Sequence, residues 1–240
     1  MERKSGRISF RLQSHLISGT SSVIVLTDTT WQTGNSNISQ IGSWRWNQMG
    51  GELIDDRIPM HEWYNPNSGR DLKNAIRITK PPASTRSQVC GTNIISDSIQ
   101  VKTITAISDN TWLIDFGENF TGWMRMKISN QAAGDTIDFI YSDFCNKKPN
   151  KKSRYNWDFG NASIDQRDAY VCSDSKSGVF CPKFNYHAFR YVIVQGLKRE
   201  PRAGDISGYM IEPDLDKSGF FTCSDPDLNA IFELNRYTFR

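Results

Sequence analysis

Residues 112–128 read WLIDFGENFTGWMRMKI. In its first part Trp112, Ile114 and Phe116 fall on one side, and Leu113 and Asp115 on the other. In its last part Met124, Met126 and Ile128 alternate with Arg125 and Lys127, the period of a strand with one face in a core and one in water. Between them, Gly117 and Gly122 supply backbone freedom closed to other residues, and Asp115 and Asn119 are placed to cap a turn through backbone amides. The expectation for this segment is strand, tight turn, strand.

The same period recurs outward. Ile8, Phe10 and Leu12 share a face; Ser21–Leu26 follows the turn residues Ser18-Gly19-Thr20; Ile137–Tyr141 follows Ala133-Gly134-Asp135. Further short strands are expected at Ile99–Lys102, Asp168–Cys172, Phe189–Val194, Gly208–Ile211 and Gly219–Cys223. Many short strands joined by Gly, Asn and Asp turns predict an all-β chain of antiparallel β-sandwich units. Two segments carry helical spacing. Asp71–Ile76 is the weaker. In the stronger, Ser224 or Asp225 caps, Pro226 suits the first turn, and Leu228, Ile231 and Phe232 share a face. Composition shifts at Lys80-Pro81-Pro82-Ala83-Ser84-Thr85, which reads as a linker. The resulting division is residues 1–85, a first sandwich; 86–222, a second; and 223–240, the start of a helix.

The 240 residues carry a net charge of +3, with 38% hydrophobic and 12% aromatic residues. That supports a packed core and singles out neither nucleic acid nor an anionic membrane as partner. No stretch approaches the roughly 20 apolar residues of a membrane span. The basic run Asn146–Asn156 reads as a solvated hairpin connection in preference to a nucleic-acid patch. Cys90, Cys145, Cys172, Cys181 and Cys223 form no CxxC pair, so free thiols are expected, with a Cys172–Cys181 bridge as the alternative. Met1-Glu2-Arg3-Lys4 is followed by no apolar signal-peptide core, and the sequence assigns no compartment. His15, His61 and His187 are too scattered for a metal triad; His187, between aromatics, reads as a hydrogen-bonded packing residue. Arg190, flanked by Phe189 and Tyr191, calls for a carboxylate such as Asp115 or Asp168, because a buried guanidinium without one is costly.

Four segments in order carry a family resemblance: Gly51-Glu52-Leu53-Ile54-Asp55-Asp56-Arg57 with Trp63 after it; Asp115-Phe116-Gly117-Glu118-Asn119-Phe120-Thr121-Gly122-Trp123; Phe184-Asn185-Tyr186-His187-Ala188-Phe189-Arg190-Tyr191-Val192; and Gly219–Ser224 leading to Leu228-Asn229. Asp28-Thr29-Thr30-Trp31 precedes them. Together they resemble the N-terminal β-sandwich region of bacterial α-L-rhamnosidases, inverting glycoside hydrolases of family 78 that remove terminal L-rhamnose. Asp56 stands where that family's segment has Ala. The resemblance implies jelly-roll or concanavalin-like sandwiches supporting a catalytic (α/α)6 barrel on the same polypeptide. It also implies a fragment that begins inside the first sandwich and stops where the barrel would start, without its acidic segment. No catalytic residue is assigned, since no pair of carboxylates here carries an acid/base signature.

The best functional candidate is Glu52, Asp55, Asp56 and Arg57, flanked by Trp44, Trp46 and Trp63. Clustered carboxylate oxygens suit Ca²⁺ at Glu52, Asp55 and Asp56, and aromatic faces with polar groups suit sugars. In some members of the resembled family such a sandwich binds rhamnose with calcium. The competing reading is a folded loop with Arg57 paired to Glu52 or Asp55. The expected function is a non-catalytic accessory region whose partners are the catalytic domain and a rhamnose-containing carbohydrate. The alternatives are a stand-alone carbohydrate-binding module or a purely structural piece.

Overall fold

The computed structural model describes residues 12–42, 50–58, 60, 72–78, 88–145, 166–175, 177–216 and 219–238. The strand expected from Ile8, the linker at Lys80–Thr85 and the loop Asn146–Asn156 lie wholly or mostly outside these residues.

The chain divides into two compact units, Met1–Ser36 with Met60–Ser87, and Asn37–Pro59 with Gln88–Arg240. In the first, β1 (Gln13–Ser18) and β2 (Ser21–Leu26) form an antiparallel hairpin, closing Ser18 onto Ser21 around Gly19 at φ 59°. Asp28 builds the turn that follows: its Oδ1 accepts from Thr30 N at 2.8 Å, and the Trp31 indole donates to Leu26 O at 3.1 Å. β3 (Gln32–Thr33) pairs with β6 (Lys73–Asn74). The helix expected over Asp71–Ile76 is therefore absent from the described part of that stretch. Six residues form too few turns to offset helix nucleation, and Ile76 is exposed, so no buried face compensates.

The second unit holds β4 (Ile38–Ile41), β5 (Gly51–Asp55), β7 (Asn93–Gln100), β8 (Thr103–Ser108), β9 (Thr111–Ser129), β10 (Thr136–Ser142), β11 (Arg167–Val171), β12 (Ser177–Phe180), β13 (His187–Gln195), β14 (Ile206–Pro213) and the helix α1 (Pro226–Thr238). Their sheet order is β4-β5-β11-β10-β13-β9-β14-β7, with β8 and β12 also on β9. Among the described residues these strands pair antiparallel except β5 with β11, which run parallel. β4 and β5 thus belong by pairing with strands far beyond the Pro81-Pro82 segment.

β9 organises this network. It runs 19 residues without turning back, so the turn expected at Gly117–Gly122 is instead a bulge. On β13 only Arg190 separates Phe189 from Tyr191; on β9 four residues separate their partners, Phe120 and Asp115. Gly117 takes the left-handed angle this needs, φ 89°, and Asp115 Oδ1 accepts its N–H at 2.7 Å. The inward residues of β9 keep one alternation throughout, and β13 takes up the change of parity, its core residues passing from Phe189 to Val192 and Val194. Ile114, Phe116, Phe120, Met124, Met126 and Ile128 all enter one core. There Phe116, Phe120 and Phe189 pack edge-on or tilted, and Phe139 stacks on Phe180 at 3.8 Å. Leu113 meets Ile193 in a separate small cluster.

The strand expected at Ile99–Lys102 begins earlier and ends at Gln100. Gly219–Cys223 joins no sheet. The N–H and C=O of Cys223 are bonded instead by the Asn229 side chain, both at 2.8 Å. Asp225 Oδ1 caps α1, accepting from Asp227 N at 2.9 Å, and Tyr237 anchors it by donating to Asn119 O at 2.8 Å. Among the described residues no disulfide is formed.

Gly122 has ordinary backbone angles; its requirement is space. A Cβ there would sit 1.9 Å from Tyr209 O of β14. Gly122→Ala should lower stability by about 3 kcal/mol, as overpacking against backbone does. At Gly204, where a Cβ meets nothing within 4 Å, the same change should stay within about 0.5 kcal/mol. Urea unfolding of both variants checks the contrast.

Candidate functional site

β5 carries the candidate segment between antiparallel β4 and parallel β11. The approach of β5 to β11 is set by Gly51, where a Cβ would lie 1.5 Å from Arg167 O and 2.7 Å from Asp168 Oδ1. The missing side chain lets Glu52 N donate to Asp168 Oδ1 at 2.7 Å.

Glu52 is buried, and its carboxylate is fully engaged. Oε2 accepts from Lys183 N at 2.9 Å, and Oε1 accepts from Phe184 N at 2.6 Å and from Asn185 N. The Asn185 side chain returns a bond to Gly50 O at 2.8 Å, and Asn185 O accepts the Trp123 indole N–H at 2.7 Å.

Asp168 is the second polar centre, with no exposed surface. Besides Glu52 N, it accepts from the Tyr141 hydroxyl at 2.8 Å and lies 3.0 Å from His187 Nε2. With a carboxylate as the acceptor, Nε2 carries the proton, and buried Nδ1 has no partner. The Tyr141 ring stacks on His187 at 4.2 Å. Burial and then the Asp168 charge hold the Tyr141 phenol well above its ordinary pKa, so it remains a donor. Chemically this is an Asp–His–Tyr cluster. It is sealed from solvent and braces the sheet rather than meeting a substrate, so His187 is the hydrogen-bonded packing residue its aromatic neighbours indicate.

The other acidic residues of the segment go elsewhere. Asp55 takes a two-pronged bond from Arg57, Nε to Oδ1 at 2.8 Å and a terminal nitrogen to Oδ2 at 2.7 Å. That guanidinium lowers the Asp55 pKa. Asp56 accepts from Ser173 Oγ at 2.8 Å. Glu52, Asp55 and Asp56 are thus adjacent in sequence but bonded to three separate sets of partners. Among the described residues, no group of three or more His, Cys, Asp or Glu is placed to hold a metal ion. Arg57 pairs with Asp55, the loop reading of this segment. Trp44, Trp46 and Trp63 lie outside the described residues.

Arg190 finds Asp115, with Nε on Oδ1 at 2.8 Å and a terminal nitrogen on Oδ2 at 3.1 Å, and lies 4.9 Å over the Tyr191 ring. Burial raises the Asp115 pKa. Bonds from Arg190 and Gly117 N, with the Arg190 and Lys102 charges, outweigh it and leave the net value lowered. Asp168 and Tyr141 were not read from sequence as one site. The available signal was parity: Asp168 shares a strand face with Tyr170, and His187 with Phe189, so each is a polar group on an apolar face.

Residues 105–212 match the family model described as the bacterial alpha-L-rhamnosidase concanavalin-like domain. An alpha-L-rhamnosidase of Formosa agariphila is 25% identical over 194 residues, 80% of this chain and 20% of the relative. One from Streptomyces avermitilis is 23% identical over 76% of this chain and 17% of its own length. The chain therefore spans about a fifth of the length of the curated relatives it matches. Among solved structures, alpha-L-rhamnosidase from Dictyoglumus thermophilum superposes with a TM-score of 0.75 at 23% identity, covering 90% of this chain and 24% of that one. The Streptomyces avermitilis enzyme complexed with L-rhamnose gives 0.73 at 20% identity, over 94% and 21%. These share the fold.

Glu52→Gln should place an amide N–H₂ against backbone N–H donors and cost about 3 kcal/mol in urea unfolding. A second expectation concerns acid. Asp115 has a lowered folded pKa, so its contribution is complete above its unfolded value near ~3.9 and lost as pH falls through the lower folded one. The stability deficit of Arg190→Gln should therefore be largest at pH 7 and shrink at pH 3, as chemical denaturation at both pH values would show.

Proposed function

With residues 105–212 forming a bacterial alpha-L-rhamnosidase concanavalin-like domain, we propose that this chain is the non-catalytic accessory region of an α-L-rhamnosidase-type glycoside hydrolase. In this reading the sandwich supports a catalytic domain of the same polypeptide, and the whole protein removes terminal α-L-rhamnose with inversion.

The observation that carries the reading is the match itself, which spans most of β8 through most of β14, the elements around β9. The disposition of the carboxylates supports it. Inverting hydrolysis needs an acid and a base roughly 6.5–9.5 Å apart across a space holding sugar and water. Glu52 and Asp168 are buried in bonds to protein donors, and Asp55, Asp56 and Asp115 each hold a local partner. Each stabilises a strand or loop where a catalytic acid would need access to a glycosidic oxygen.

The purified chain, incubated with an aryl α-L-rhamnoside, should release no rhamnose above the buffer rate. Turnover that scales with protein concentration would overturn the accessory reading.

A further inference from the structure

The connection from β11 to β12 carries a chain of hydroxyl groups that is one hydrogen short. Ser173 Oγ donates to Asp56 Oδ2 at 2.8 Å, and Ser175 Oγ donates to Ser177 O at 2.8 Å. Between them the two serine oxygens stand 2.7 Å apart, a third hydrogen-bond contact. Each hydroxyl has a single hydrogen to give, and the groups at the two ends, a carboxylate and a carbonyl, only accept. Two hydrogens therefore serve three contacts, and among the described residues one acceptor is left over.

Beside this chain lies the opposite fault. Tyr170 is 1% exposed, and its buried hydroxyl has no hydrogen-bond partner among the described residues. The Asp56 carboxylate is close enough to act on it but out of hydrogen-bond geometry. Burial, and then Asp56, holds the phenol above its ordinary pKa, so it keeps its hydrogen and needs an acceptor. The hydroxyl stands at the wall of a small cavity that Gly178 keeps open, since a Cβ there would sit 2.0 Å from it. Ser173, Ser175 and Ser177 line the same cavity, together with Ile128. Its volume is about 10 Å³, close to the least that holds one water molecule. A hard cation would need roughly six to eight oxygens around it, more than a space of this size gathers. A buried water needs only about three hydrogen bonds, to groups that otherwise lack partners, and the cavity wall carries such groups of both kinds.

We propose that this cavity binds one ordered water molecule, which accepts a hydrogen bond from Tyr170 and donates into the Ser173–Ser175–Ser177 chain. The water supplies the hydrogen that the chain lacks and gives the phenol its acceptor. It thereby joins β11, the 173–177 connection and, through Ser173, the Asp56 end of β5 at one buried centre. The site is independent of the accessory reading above. A crystal structure of the chain that shows ordered solvent should place one water about 2.5–3.0 Å from Tyr170 Oη, with a second contact to Ser173 Oγ, Ser175 Oγ or Ser177 O. Tyr170→Phe should lose that water while the Ser173–Asp56 bond persists. In solution, water relaxation dispersion should count one long-lived water fewer in Tyr170→Phe than in the parent chain. The parent crystal structure tests the site whether or not the variant folds. A dry cavity, a Tyr170 hydroxyl bonded directly to Asp56, a peak ringed by oxygens at the shorter distances of a metal ion, or equal water counts in parent and variant would each overturn the proposal.

Discussion

A single carboxylate without solvent contact ties together four neighbouring strands. Asp168 on β11 accepts from Glu52 N on β5, from Tyr141 on β10 and faces His187 on β13, which are consecutive members of one sheet. An unpaired charge at this depth would cost several kcal/mol by rough estimate, so each of these strands is constrained to deliver its donor. Gly51 admits the approach, and Glu52 extends the same network into the 183–185 loop. Removing any one donor leaves the others around an undersatisfied charge, which makes the cluster an all-or-none arrangement.

The second constraint is parity along β9. A strand that serves β13, β8, β14 and β12 in turn must keep its apolar residues inward over 19 positions while bending. At Phe116–Asn119 four residues of β9 stand opposite Arg190, and β13 takes up the change of parity between Phe189 and Val192. Asp115 is central to it, holding Gly117 N on one side and the Arg190 guanidinium, from the residue opposite the bulge, on the other. The Asp115–Gly117 and Arg190 segments therefore mark a joint in the sheet, and Tyr237 of α1 settles on the carbonyl of Asn119 beside it.

The acidic GELIDD segment reads in sequence as a candidate ligand site, and in the structure each of its carboxylates is bonded to protein donors. In sequence, Glu52, Asp55 and Asp56 lie within five residues, and proximity invites convergence on a cation. On a strand, successive side chains diverge, and each carboxylate meets donors from a different part of the chain: 183–185 for Glu52, Arg57 for Asp55 and Ser173 for Asp56. Only Arg57 is visible from the segment itself; the other two sets of donors lie more than a hundred residues away.

Alternation at Trp112–Phe116, Met124–Ile128 and Phe189–Val194 determined by itself that the chain is built of strands. The capped pattern from Asp225 determined α1, and the motif segments carried the resemblance to rhamnosidase sandwich regions that the match over residues 105–212 repeats. These are local signals, carried by residues a few positions apart. What only tertiary structure decided is which strands are neighbours, that Gly117 opens a bulge where a reversal was expected, that Lys73-Asn74 pairs as strand, and that Glu52 and Asp168 are spent on backbone and side-chain donors. The reason is physical: a hydrogen-bond ladder and a buried charge are satisfied by partners distant in sequence, and the alternation that marks a strand does not encode which edge it will meet.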